Sequence, residues 1–291
     1  MSPRNVIDSA RTIQKELTIN APVEAVWKAL TDAEELIRWF PLEARVKPGA
    51  GGSIWQAWRD YEEGELPIEI WEPNKHLRLI WPQTVAGGAL AKQEGEPGTG
   101  AVLGPLAVDF HLQGRGGSTV VRLVHSGFSS DTIWDETYDG IRRGWNYEIR
   151  GLRHYLEHHR GVPRLVAWAR TTLAIPLTEA WQRLTGRDGL LREGSLAGKK
   201  EGDRYAITTA AGHGLEGTVY ILDPPKDFCG TVDNMNRSLF RIHNDKSCGG
   251  EDVLEANLWL SCYGISSQEV QDFEKRYGAL LRRLYPEASA S

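Results

Sequence analysis

Hydrophobic and polar positions change period several times along the chain, and each change predicts an element. Leu17 and Ile19 alternate with Thr18 and Asn20, the two-residue period of a half-buried strand. Pro22 then suits the first turn of a helix, where its missing N–H costs nothing. Val23, Val26, Trp27 and Leu30 follow at i, i+3, i+4 and i+7, one apolar helical face. Asp32-Ala33-Glu34-Glu35 is a capping-box pattern that opens a second short helix. From 43 to 127 short apolar runs alternate with turn residues: SIWQAW (53–58), GELPIEIW (64–71), HLRLIW (76–81), AVDFHLQ (107–113) and TVVRLVHSGF (119–128). The Gly-rich stretch 85–104 carries no pattern and predicts an inserted loop. Trp134, Tyr138, Ile141, Trp145, Ile149, Leu152 and Leu156 then recur every three or four residues, which predicts one long amphipathic helix over about 132–159.

The same order returns. PVEAVWKALT (22–31) and PLTEAWQRLT (176–185) share Pro, four residues, Trp, two residues, Leu, Thr. Leu177, Ala180, Trp181 and Leu184 repeat the first helical face. GTVYILDPPKDF (217–228) matches PIEIWEPNKHL (67–77), and SLFRIHN with DVLEANLWLSCYG reads as the late hairpin. Ser266-Ser267-Gln268-Glu269 caps a last helix carrying Val270, Phe273, Tyr277, Leu280 and Leu284. Each half therefore reads strand, two short helices, five or six antiparallel strands, long helix. The expected domains are 1–160 and 161–291, joined near HHRGVPR, where Gly161 and Pro163 interrupt both patterns. The class is α+β. One long helix covers a curved antiparallel sheet only in part, which leaves either large side chains or a pocket between them.

Composition narrows the partners. The 291 residues carry a net charge of −5, which argues against nucleic acid or an anionic membrane as the main partner. No apolar run reaches the roughly 18–20 residues of a membrane span. The opening residues lack the apolar core of a secretory signal. Three cysteines, all in the second half, make no disulfide framework, and a cytoplasmic setting is expected. Eight of the 11 Trp precede residue 160, so an aromatic-walled site belongs in the first half.

The ordered set Ile19-Asn20-Ala21-Pro22-Val23-Glu24-Ala25-Val26-Trp27, Trp39-Phe40, Gly51-Gly52, Glu72-Pro73 with Leu77, and Trp145, Leu152 and Leu156 resembles the SRPBCC, START-like or helix-grip superfamily. Within it, the first half is most similar to the bacterial homologues of the activator of heat-shock protein 90 ATPase. The resemblance covers about 12–158 directly and about 163–286 through the internal repeat. It implies tandem helix-grip domains, each with a deep apolar cavity between sheet and long helix, and it implies no particular reaction.

The candidate ligand-binding residues are Trp39, Trp58, Trp81, Phe110, His125, Trp134, Tyr138 and Trp145, for a small hydrophobic molecule. Two alternatives stay open: a co-chaperone-like module with a protein partner, and a cyclase, dehydratase or hydrolase using polar groups of the cavity. His125, His111 and Asp109 lie on neighbouring strands and would serve acid–base chemistry only if they point inward. No catalytic residue is assigned. His154 and His158 at i, i+4 have a metal-binding spacing, yet they sit in the last turns of a helix, where the dipole favours His and Arg. Cys229, His243, Cys248 and Cys262 contain no CxxC pair and read as ordinary thiols and an ordinary imidazole. GAGGS and GRGGS lack the Lys-Ser/Thr of a phosphate loop and read as hairpin turns. Arg142, Arg143, Arg150 and Arg153 read as a solvated helix face. No cofactor and no metal are expected.

Overall fold

A computed structural model describes residues 10–59, 61–81, 106–246 and 253–286. The chain divides into two compact units, the first running to Gly161 and the second beginning at Val162. Each is one curved antiparallel sheet with a long helix, the helix-grip plan built twice.

The first unit opens with β1 (Arg11–Ile19), α1 (Val23–Thr31) and α2 (Ala33–Leu36). Six strands follow: β2 (Glu43–Lys47), β3 (Ser53–Trp58), β4 (Tyr61–Glu72), β5 (His76–Trp81), β6 (Leu106–Arg115) and β7 (Ser118–Phe128). A 3-10 turn leads into α3 (Asp135–His158). The sheet order is β1-β7-β6-β5-β4-β3-β2, so the first strand pairs with the last. The long helix buries Trp145, Ile149, Leu152 and Leu156, the stripe visible in the sequence. The same helix departs from that reading at Arg143. Its side chain is only 4% exposed and its Nε donates to Asp139 at 2.9 Å, so this position is a buried ion pair rather than solvated surface.

The second unit runs β8 (Arg164–Leu173), α4 (Leu177–Thr185), β9 (Leu191–Glu193), β10 (Arg204–Thr209), β11 (Gly214–Asp223), β12 (Asp227–Val232), β13 (Ser238–Lys246), β14 (Leu254–Tyr263) and α5 (Ser267–Leu284). Its order, β8-β14-β13-β12-β11-β10-β9, repeats that of the first unit. The second short helix expected here is replaced by a turn. Gly186 and Gly189 stand where the first unit has Asp32 and Glu35, and a Cβ at Gly189 would lie 2.1 Å from the Arg183 carbonyl. The chain folds back at that point, with Leu190 N–H donating to Leu184 O at 2.7 Å.

The repeated decapeptide has one local structure in both copies. Pro22 and Pro176 are extended N-cap residues. Leu30 and Leu184 are buried against their own cores. Thr31 Oγ1 donates to Trp27 O at 2.7 Å and Thr185 Oγ1 to Trp181 O at 2.8 Å, the same back-bond one turn down. Asp32 ends the first copy and caps α2, accepting from Glu35 N–H at 3.1 Å. Ser266 and Glu269 form the complete capping box that their spacing predicts. None of the described helices is long and apolar enough to cross a membrane.

In the second unit the space between sheet and helix is filled by rings. Phe273 and Tyr277 of α5 stack at 3.8 Å and meet Phe240 of β13 at 6.1 and 6.0 Å. Tyr205 of β10 packs edge-on against Phe228, and its hydroxyl donates to Thr231 O at 2.6 Å. Gly230 is required beneath that ring, because a Cβ there would stand 2.5 Å from Tyr205 Cε1. Gly230→Ala is therefore expected to cost about 1–3 kcal/mol by overpacking. A lowered unfolding midpoint with unchanged m-value checks this, and an unchanged midpoint would refute the fit described.

Candidate functional site

The inner face of the first sheet carries every second residue of β5, β6 and β7. Leu77, Leu79 and Trp81 of β5 lie beside Phe110 and Val108 of β6, in the register Leu77↔Phe110 and Leu79↔Val108. Together with Leu30, Leu36, Trp39, Phe40, Ile54, Gln56, Leu66 and Trp145 they line a void of about 20 Å3. That is room for about one water molecule. The deep cavity implied by the resemblance is thus largely filled by aromatic rings. Most lining residues are buried; Phe40 and Trp81 are half-buried.

Of the eight residues expected to bind a ligand, Trp39, Trp81, Phe110 and Trp145 line this void. Trp39 is anchored by its own indole, which donates to Ala29 O of α1 at 2.8 Å. Trp145 projects from α3 into the middle, with ring centroids 5.7 Å from Phe40, 5.8 Å from Phe110 and 6.3 Å from Trp81. Trp58 stands behind Phe40, at 5.3 Å, and beside Tyr61. Trp134 and Tyr138 pack on Phe128 at 6.3 and 5.3 Å, away from the lining. Tyr138 also donates to Thr12 O and lies under the Arg11 guanidinium. Trp27, read as part of the helix face, meets Trp71 edge-on at 5.1 Å.

His125 is the eighth. It is fully buried behind the wall, stacked on Trp81 at 5.1 Å and close to Phe128 at 4.7 Å. Trp145 Nε1–H donates to its Nδ1 at 2.9 Å. An indole only donates, so Nδ1 holds a lone pair and the ring is the neutral Nε2–H tautomer. Burial pushes its pKa down to about 3, consistent with that neutral form. Nε2 has no hydrogen-bond partner among the described residues. This imidazole can donate a hydrogen bond and cannot act as a base, because its single lone pair is already taken.

Gln56 escaped the sequence reading. It is 2% exposed, faces the void from β3, and its Oε1 is buried without a hydrogen-bond partner among the described residues. The only available signal was its place in SIWQAW, where a polar residue interrupts a strand of large apolar ones. His111 and Asp109 point the other way, to the outer face of the sheet. They line up with His76 and Arg78 in the register His76↔His111 and Arg78↔Asp109. Cys229 and Cys262 are buried free thiols, and burial pushes the Cys262 pKa up to about 12. Cys248 and the Gly-rich stretch 85–104 lie outside the described residues.

The family model described as activator of Hsp90 ATPase homolog 1-like protein matches residues 20–157. Comparison with curated proteins finds no match. Among solved structures, the Aha1 dimer from Colwellia psychrerythraea is 18% identical with a TM-score of 0.41, covering 52% of this chain and 99% of that one. DynU16, from the dynemicin biosynthetic locus, is 18% identical with a TM-score of 0.38, covering 94% of this chain and 96% of that one. The di-domain ARO/CYC BexL of the BE-7585A biosynthetic pathway is 13% identical with a TM-score of 0.38, covering 97% of this chain and 99% of that one. These likenesses are distant, and the assignment rests on residues 20–157. Over residues 20–157, the first unit is similar to the activator of Hsp90 ATPase homolog 1-like proteins.

Proposed function

We propose that the first unit binds a small, mostly apolar molecule between its sheet and α3, entering past Phe40 and Trp81. The observation that carries this reading is the Gln56 side chain. Leaving a buried amide oxygen without a donor costs about 1–3 kcal/mol. A ligand bearing one hydroxyl or N–H would offset that cost while its apolar part meets the Trp39, Phe110 and Trp145 rings. Drug-sized ligands occupy about 300 Å3 or more, so Phe40 and Trp81 must swing out as the molecule enters. The family fold supports the same reading, because its sheet and helix enclose apolar space. The domains 1–160 and 161–291 are proposed as separate units, with the ligand assigned to the first.

The test is to extract the gently purified chain with organic solvent and search by mass spectrometry for a stoichiometric small molecule. Val108→Phe, which fills the void, and Gln56→Leu, which removes the acceptor, are expected to reduce its occupancy at least about tenfold, the equivalent of roughly 1.4 kcal/mol. An empty extract, together with unchanged melting in a panel of planar apolar compounds, would end this reading.

The tightness of the ring packing keeps a second reading in view, a protein-interaction module of the kind the family description names. It expects the purified chain to change the turnover of an Hsp90-type ATPase. An unchanged rate over a concentration series would remove it. A cyclase or hydrolase reading gains little from His125, whose lone pair is committed to Trp145.

A further inference from the structure

We infer that the outer face of the first sheet carries a divalent transition-metal site formed by His76, Asp109 and His111. The donor atoms of these three residues all lie within 4.8 Å of one another, and they are the only such trio of His, Cys, Asp or Glu among the described residues. Two imidazoles and a carboxylate suit zinc, nickel, cobalt or copper rather than calcium or magnesium, which prefer oxygen ligands.

The sheet holds the donors in place. Leu112 N–H donates to Lys75 O at 2.7 Å, which makes His76↔His111 a non-hydrogen-bonded cross-strand pair. Side chains at such pairs approach most closely. The two imidazoles stack at 4.1 Å. Asp109, 5% exposed, sits beneath them, with Oδ1 2.7 Å from His76 Nε2. Its other oxygen, Oδ2, accepts from Arg78 Nη1 at 3.0 Å, and Arg78 Nε in turn faces Glu69 at 2.6 Å. Nη1 also reaches Oδ1 at 3.3 Å, so Arg78 orients the carboxylate from behind, as supporting shells do at metal sites, while Oδ1 keeps its shorter contact, 2.7 Å, with His76. Tetrahedral ligands with metal–nitrogen bonds of about 2.0 Å stand roughly 3.3 Å apart, so the widest donor pair must close in by up to about 1.5 Å while His76 Nε2 and Asp109 Oδ1, 2.7 Å apart, open by about 0.6 Å. His111 is exposed and has room for that rotation. Water would complete the coordination from the solvent side.

The second unit supplies an internal contrast. Its matching strands pair Asp227↔His243 and Cys229↔Arg241, with His243 in the place of His111. There Arg241 donates to Asp227 Oδ1 through Nε at 3.0 Å and Nη2 at 2.7 Å. A guanidinium lies where the cation would go, and one imidazole remains. Both patches hold an Arg–Asp ion pair, but the first offers two imidazoles beside its carboxylate and the second only one.

The experiment is calorimetric titration of the full chain with Zn2+, and Co2+ titration followed by its visible absorption. One equivalent is expected to bind. His111→Ala, at an exposed position that should not disturb folding, is expected to weaken binding by about 10- to 100-fold or more, the loss typical of even an outer-shell partner. His76→Ala should do the same. His158→Ala, in the separate histidine cluster at the end of α3, should bind as the parent does. Absence of binding in the parent, undiminished binding in His111→Ala, or loss of binding in His158→Ala would each overturn the assignment.

Discussion

Lowering the pH from 7 to 4.5 is expected to remove about 3 kcal/mol of stability from the first unit through His125 alone. Burial depresses the pKa of this imidazole from 6.5 to about 3 in the folded chain. Between those values the unfolded chain binds a proton that the folded chain refuses. Stability is therefore complete above about pH 6.5, falls by about 1.4 kcal/mol per unit below it, and stops falling once the folded group titrates near pH 3. Protonation also has a structural consequence. Nδ1 would become a donor facing the Trp145 indole, itself only a donor, so the bond across the core must break. The measurement is denaturant unfolding at several pH values, followed by tryptophan fluorescence, to which the first unit contributes most of the rings. His125→Gln keeps an acceptor for the indole and removes the titration, so its acid slope should be shallower by about one proton. Parallel slopes for the two proteins would show that His125 is protonated without cost, and the account of its burial would fail.

Much of the fold was legible because it rests on periods. The alternation in β1, the stripe of α3 and the repeated decapeptide each follow from one burial face, and the structure keeps all three. The missing second short helix shows the limit. The pattern argument carried Asp32-Ala33-Glu34-Glu35 over to the second half by analogy, while Gly186 and Gly189 there remove the cap and permit a close backbone turn instead. The site was less legible. Trp81, Phe110 and Trp145 stood out as large apolar residues on elements with a clear inner face. Gln56 did not, since its importance comes from an Oε1 with no partner among the described residues, a property of the packed environment. Arg143 looked solvated because a charged residue in a helix usually is, and only the packed α3 shows Asp139 reaching it. His76, Asp109 and His111 could not be grouped by spacing. Thirty-three residues separate His76 from Asp109, and their contact depends on strand register.

Trp145→Ala carries the largest expected loss. The indole is 4% exposed and touches the rings of Phe40, Trp81, Phe110 and His125. Truncating a buried aromatic to alanine typically costs about 3–5 kcal/mol, through lost transfer energy and the cavity left behind. Here the loss includes the donor to His125 Nδ1, which would be stranded in the core. Trp145→Phe separates the two effects. It retains most of the ring area and removes only the hydrogen bond, so a cost of about 1–3 kcal/mol is expected. Denaturant unfolding should rank the parent first, Trp145→Phe second and Trp145→Ala last. The alanine variant also tests the ligand reading. It merges the space of an indole with the existing void, and dry apolar cavities of about 150 Å3 take up benzene-sized molecules. Added indole should therefore raise the melting temperature of Trp145→Ala and leave that of Trp145→Phe almost unchanged. If the alanine variant is destabilised yet indifferent to indole, its core has collapsed onto the vacancy. The walls would then be too pliant to hold a shaped cavity, and the protein-interaction reading would gain the ground that the ligand loses.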